Sequence, residues 1–170
     1  MNVSLIITTY NWKEALELSL LSGLKQKKKP TEIIVADDGS RPDTGEIITK
    51  IAEQSPFPVI HSWQKDEGFR LSASRNKAIA KTSGDYIVLI DGDIIMEEHF
   101  IADHIHFAHP SCFVQGTRVL LKEELSEKVF SAFLSADLLP VSSRLFSCSA
   151  CVFFLWSKQG TLVWWVAGAG

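Results

Sequence analysis

No stretch of this 170-residue chain stays apolar for long enough to be read as a membrane span. A spanning helix needs about 20 consecutive apolar residues. The most apolar region, residues 145–170, is broken by Lys158, Gln159 and Gly160. The N-terminus has no basic segment leading into an apolar one, so Met-Asn-Val-Ser-Leu-Ile-Ile reads as an early strand and not as a leader. Cysteine is scarce. Cys112, Cys148 and Cys151 cannot build a secreted disulfide framework, and Cys148-x-x-Cys151 has no second pair to close a zinc site. Neither sign of charge dominates: the net charge of -3 gives no electrostatic footprint for nucleic acid. The one basic run, Lys25 with Lys27, Lys28 and Lys29, suits a helix C-terminus. Acidic residues stop altogether after Asp137.

What is present is enough for one domain with a core. Apolar residues make up 46% and charged residues 22%, which excludes disorder. Short apolar runs alternate with helical patterns. Val3 to Ile7, Glu32 to Ala36, Val59-Ile60 and Tyr86 to Ile90 read as strands. Between them fall three helices. The first has a capping box at Asn11 and Glu14, the second starts at Asp43 and Glu46, and the third follows Gly68 and Ser72 through Ala73, Ala78, Ile79 and Ala80 to a cap at Gly84. Four such alternations in 90 residues predict βαβ units and a parallel sheet. Further helices are expected from Glu97 to Pro110 and from Lys122 to Leu134, with a strand between Cys112 and Leu121. No helix or strand period is clear beyond residue 145.

The sharpest polar features follow strands directly: Thr8 to Asn11, Asp37 to Ser40, and Asp91-Gly92-Asp93. In open α/β sheets these ends gather on one edge, where ligands bind. Two carboxylates at i and i+2 on a strand end can share a hard cation such as Mg2+ or Mn2+, which keeps places for phosphate oxygens. An isolated Asp-x-Asp is more often a polar turn, and a phosphohydrolase with Asp91 as nucleophile and Asp93 as acid also fits the local stretch. His99, His104, His106 and His109 miss helical ligand spacing between neighbours and read as a helix surface.

Four segments together carry more: Val-Ser-Leu-Ile-Ile-Thr-Thr-Tyr-Asn, Glu-Ile-Ile-Val-Ala-Asp-Asp-Gly-Ser, Gly-Phe-Arg-Leu-Ser-Ala-Ser-Arg-Asn-Lys-Ala-Ile, and Gly-Asp-Tyr-Ile-Val-Leu-Ile-Asp-Gly-Asp. In this order the chain resembles the inverting family 2 glycosyltransferases, most of all bacterial enzymes of surface polysaccharide synthesis, over roughly residues 2–121. The resemblance implies a GT-A, Rossmann-like fold: a mostly parallel sheet flanked by helices, with the donor-binding half alone in this chain. It implies a UDP-sugar donor, a glycan or lipid-linked acceptor, Mn2+ or Mg2+, and a cytoplasmic location open to peripheral association with the inner face of the membrane. Thr8 and Tyr10 would line the nucleotide pocket, with Tyr10 against the base. Asp38 would accept the uracil N–H, and Arg70 would lie near base and phosphates. Arg75 would anchor the loop or a carboxylate. Asp91 would sit near the ribose, and Asp93, with Asp91 beside it, would hold the metal.

One part of the family pattern is missing. Inverting transfer needs a carboxylate to deprotonate the acceptor, and no acid after Asp93 has the family's setting for it, so the catalytic base is unknown. The expected organisation is a donor-binding domain over residues 1–121, a helix and linker over 122–144, and an apolar tail over 145–170. That tail is read as a truncation or replacement of the acceptor half, a shifted reading frame included. A remnant that binds a nucleotide sugar without transferring it stays open.

Overall fold

The structure, a computed structural model, describes residues 1–134 and 151–154. Four strands, β1 (Val3–Thr9), β2 (Glu32–Asp37), β3 (Val59–Trp63) and β4 (Tyr86–Asp91), form a sheet in the order β3-β2-β1-β4. Every neighbouring pair in it is parallel. The crossovers are α1 (Lys13–Leu24), α2 (Pro42–Gln54) and α3 (Leu71–Ile79). After β4 come β5 (Ile94–Met96), α4 (Phe100–Phe107), β6 (Thr117–Leu120), α5 (Glu123–Leu134) and β7 (Cys151–Phe154).

The period of two along β1 divides the core. Val3, Leu5 and Ile7 pack with Val88 and Ile90 of β4, Leu16 and Leu20 of α1, Ile48 and Ile51 of α2, and Ile101 of α4. Ile6 points the other way, with Ile34, Ile87, Leu89 and Ala78 of α3. Each fully buried Leu or Ile contributes about 1.5–3 kcal/mol, so a central strand buried on both faces anchors the fold. The chain lays β1, β2 and β3 in one direction, then returns to place β4 on the other side of β1. Such a reversal opens a crevice at the C-terminal ends of the two strands that flank it.

Several expectations change. Asn11 does not cap α1: the N-cap is Trp12, with no side-chain cap bond. Asn11 takes φ 50°, and its Oδ1 accepts the Arg41 N–H at 3.0 Å, stitching the loop after β1 to the loop after β2. Gly84 is no helix cap either. α3 ends at Ile79 with Ala80 as C-cap, and the Gly84 N–H donates to Ser4 Oγ at the start of β1. Ile79 is exposed, because α3 meets the sheet through the small residues Ser74 and Ala78, four apart. The strand expected between Cys112 and Leu121 shortens to Thr117–Leu120. Within residues 145–170, Cys151–Phe154 forms a strand between β5 and β6, antiparallel to the first and parallel to the second. A four-residue apolar run has no periodicity to betray it. The other readings on residues 135–150 and 155–170, that of Cys148 included, lie outside the described residues. Among the described residues no helix is long and apolar enough to cross a membrane.

Candidate functional site

Sheet register brings the three polar strand ends together. Thr8 on β1 pairs with Asp91 on β4, and Thr9 with Asp37 on β2. The turn after Asp91 passes over the end of β1 so closely that a Cβ on Gly92 would stand 2.6 Å from the Thr8 carbonyl oxygen. The close approach that Gly92 permits is therefore to backbone. The same turn bears Asp93, one residue on.

Asp91 is held on one oxygen. Thr8 Oγ1 donates to its Oδ1 at 2.8 Å, and Arg75 Nη2 from α3 donates to the same atom at 2.7 Å. Neither bond involves Oδ2. Asp93 is different: its Oδ1 is buried and has no hydrogen-bond partner. Burial, and then the negative charge of Asp91, push the Asp93 carboxyl up to about 7, against the opposing pull of its own backbone N–H and then of Arg118. A buried carboxylate oxygen with no proton donor, beside a second carboxylate, fits a hard divalent cation with oxygen ligands.

The acidic pair after β2 divides its work. Asp37 is buried and shapes the turn: its Oδ1 accepts the N–H groups of Gly39 at 3.1 Å and Ser40 at 2.7 Å. Its Oδ2 lies 2.8 Å from His61 Nε2 on β3. Burial alone would raise the Asp37 carboxyl, but the His61 and Ser40 hydrogen bonds outweigh it and hold the group low. Turn chemistry thus falls to Asp37 and not to its neighbour. Gly39 adopts φ 100° in this turn, a conformation that favours glycine. Asp38 is held through both oxygens, by Gln64 Nε2 on Oδ1 and by the Arg70 backbone N–H on Oδ2 at 2.8 Å.

Tyr10 is 52% exposed on the rim, where its hydroxyl donates to Asp66 Oδ2 at 3.0 Å. The Arg70 side chain is engaged by its own loop, with Nη1 2.8 Å from Glu67 Oε2 and Nη2 donating to the Lys65 carbonyl. Its direct link to Asp38 is through its backbone. His61 and Gln64 have no signal in the sequence, since a polar residue near a strand end looks like surface.

Glu97, Glu98 and Asp103, three of the acids that follow Asp93, lie toward the opposite edge of the sheet. Gln26 and Lys27, just beyond the C-terminal end of α1, meet the Glu97 and Glu98 carbonyls, and Lys27 Nζ pairs with Glu98. α1 runs back along the sheet, so this edge is opposite to Asp93. Asp103 lies on α4 next to His104, whose Nδ1 is 3.3 Å from the hydroxyl of Tyr86 at the start of β4. His104 is buried, with its ring packed edge-on against Phe100.

A parallel sheet with its crevice beside the central strand, an acidic pair at the end of β2 and an Asp-x-Asp at the end of β4 define a fold of the GT-A type. The family model "Glycosyl transferase family 2" matches residues 4–137. The chain belongs to that family. It is 40% identical over 95 residues to a cholesterol galactosyltransferase of Borreliella burgdorferi, covering 56% of this chain and 26% of the relative. It is 34% identical over 105 residues to an Escherichia coli UDP-Glc:alpha-D-GlcNAc-diphosphoundecaprenol beta-1,3-glucosyltransferase, covering 62% and 40%. Among solved structures it is similar to Staphylococcus aureus TarS 1-349 in complex with UDP-GlcNAc, with 26% identity and TM-score 0.54 over 63% of this chain and 31% of that one. A mannosyltransferase of Pyrobaculum calidifontis in complex with GDP-Man and Mn2+ shares the fold, at 21% identity and TM-score 0.58, over 72% and 36%. The chain spans less than half the length of these relatives. Family membership leaves the phosphohydrolase reading without support.

Proposed function

We propose that this chain is the donor-binding part of an inverting, metal-dependent glycosyltransferase. It would take the sugar from a UDP-sugar and pass it to a glycan or lipid-linked acceptor in bacterial surface polysaccharide synthesis. The observation that carries this reading is the convergence of Thr8, Asp38 and Asp91 at one crevice with the unpartnered buried oxygen of Asp93. The UDP-Glc and lipid-linked substrates in the name of the Escherichia coli relative support the donor and acceptor classes.

Asp38 accepts the N–H of a uracil ring with lone pairs left over from its two protein bonds, and Tyr10 lies against the base. Arg70 stands near the base and phosphates. Thr8 and Arg75 orient Asp91, whose Oδ2 faces the ribose and can join Asp93 at the metal. Asp93 holds Mn2+ or Mg2+. When bound, that cation neutralises the charge that develops on the leaving diphosphate. A base for the acceptor hydroxyl contributes ~100- to 10,000-fold. Glu97, Glu98 and Asp103 are on the wrong edge to supply it, so the base stays unassigned and this chain is read as binding and orienting donor while transferring sugar poorly by itself.

Titration calorimetry with UDP, with and without Mn2+, tests the site. Heat that depends on Mn2+ and vanishes in Asp93→Ala is expected. Equal affinity in the presence of chelator would sink the reading. UDP release with a panel of acceptors separates transfer from binding, and flotation with anionic vesicles tests peripheral association with the inner face of the membrane.

A further inference from the structure

Gln64 follows directly on β3 and is 4% exposed. Its backbone N–H donates to the Asp37 carbonyl at 3.2 Å, extending the pairing of β3 with β2 to the start of the acidic turn. The side chain is thereby delivered under Asp38, where Nε2 donates to Oδ1. The orientation of this amide is dictated by its neighbours. The same nitrogen faces the Arg70 carbonyl at 3.4 Å. Carboxylate and carbonyl oxygens only accept, so the NH2 group must face them and Oε1 must turn away. There Oε1 is buried and has no partner. An unsatisfied buried acceptor is unfavourable, because it gives up its hydrogen bond to water and gains none. An aliphatic side chain would fill the position without that cost, but it could hold neither Asp38 nor the Arg70 carbonyl.

The second hold on Asp38 converges on the same place. The Arg70 N–H takes Oδ2, so Gln64 bridges the acidic turn and the start of α3 from below. With one donor on each oxygen the carboxylate plane cannot rotate, and its remaining lone pairs have fixed directions. We propose that Gln64 is a positioning residue for base recognition. By clamping Asp38 it makes the pocket selective for a base that offers an imide N–H, as uracil does, over one that offers a ring acceptor there, as cytosine does.

This inference rests on the reading of Asp38 as the acceptor of the uracil N–H, and the experiment separates the two. Binding of UDP, of UDP methylated at the uracil imide nitrogen, and of CDP is measured with Mn2+ on the full chain and on Gln64→Met, which keeps the length without the donor. A hydrogen bond to a charged group contributes about 1.5–3 kcal/mol, roughly 10- to 150-fold. The unaltered protein should prefer UDP over the methylated form by at least about tenfold. In Gln64→Met that ratio should shrink several-fold, through weaker UDP binding with the methylated form unchanged. A shift common to all three ligands would indicate a merely structural role and overturn the inference. So would an unchanged ratio. Absence of any preference in the unaltered protein would instead sink the reading of Asp38. Gln64→Glu, which keeps the shape and turns an acceptor on Asp38, reads the same ratio if Gln64→Met fails to fold.

Discussion

Asp93 stands in an unfavourable position as a bare carboxylate. Its Oδ1 is buried with no donor and Asp91 is two residues away. Removing the charge should therefore help the fold and hurt the site. Asp93→Asn is expected to raise the thermal midpoint in chelator while abolishing the Mn2+ dependence of UDP binding; a lower midpoint would contradict this account. His104 offers a pH test away from the site. It is 4% exposed, and burial holds its imidazole down at about 4, with Asp103 opposing. The unfolded chain binds that proton near pH 6.5 and the folded one does not. Its contribution to stability is complete above the unfolded value and is lost as pH falls from there to about 4, by about 3 kcal/mol at most. Asp93 works in the opposite direction over the same range, because its folded carboxyl, at about 7, takes up a proton that the unfolded chain does not. The His104 loss is therefore read as a difference: chemical denaturation at about pH 7 and about pH 5 should show the unaltered protein losing stability relative to His104→Leu as the pH falls. Thr8, Asp38, Asp91 and Asp93 could be picked out from the sequence because each sits in a motif directly after a strand. His61 and Gln64 could not, since their meaning comes from Asp37 and Asp38 on another strand.

The strands and crossover helices follow from local pattern, and the turns between them do not. β1 and β4 announce themselves as unbroken apolar runs, as strands buried on both faces must. Asn11 looks like a cap because Asn before a helix usually is one. Its actual partners, Arg41 and Ser40, are 30 and 29 residues away. The turn from β4 to β5 is equally non-local, since Gly92 is there for the Thr8 carbonyl. Gly92→Ala must push that carbonyl aside. Overpacking of this kind costs about 1–3 kcal/mol. The expected result is a lower denaturation midpoint together with weaker metal-dependent binding, because Asp93 moves with the turn. An unchanged midpoint would show that the turn is slack.

The described residues form two sheets, one of four strands and one of three. β7 is the middle strand of the smaller and lies far along the chain from both of its partners. Proline at Val152 removes a ladder donor from a central strand. In Val152→Pro, hydrogen exchange should speed up in β5 and β6 while β1 keeps its protection. Loss of protection in β1 would mean that the small sheet supports the large one. The order of elements from β1 to β4, the parallel sheet and the gathering of motifs at strand ends were legible from the residues, because hydrophobic period and strand-end chemistry are local properties; β5 and β7 were not. The partners of the two aspartates after β2, the edge to which Glu97, Glu98 and Asp103 go, and the use of Cys151–Phe154 were settled by folding alone. Each depends on a contact between residues distant in the chain, and linear spacing carries no record of such contacts.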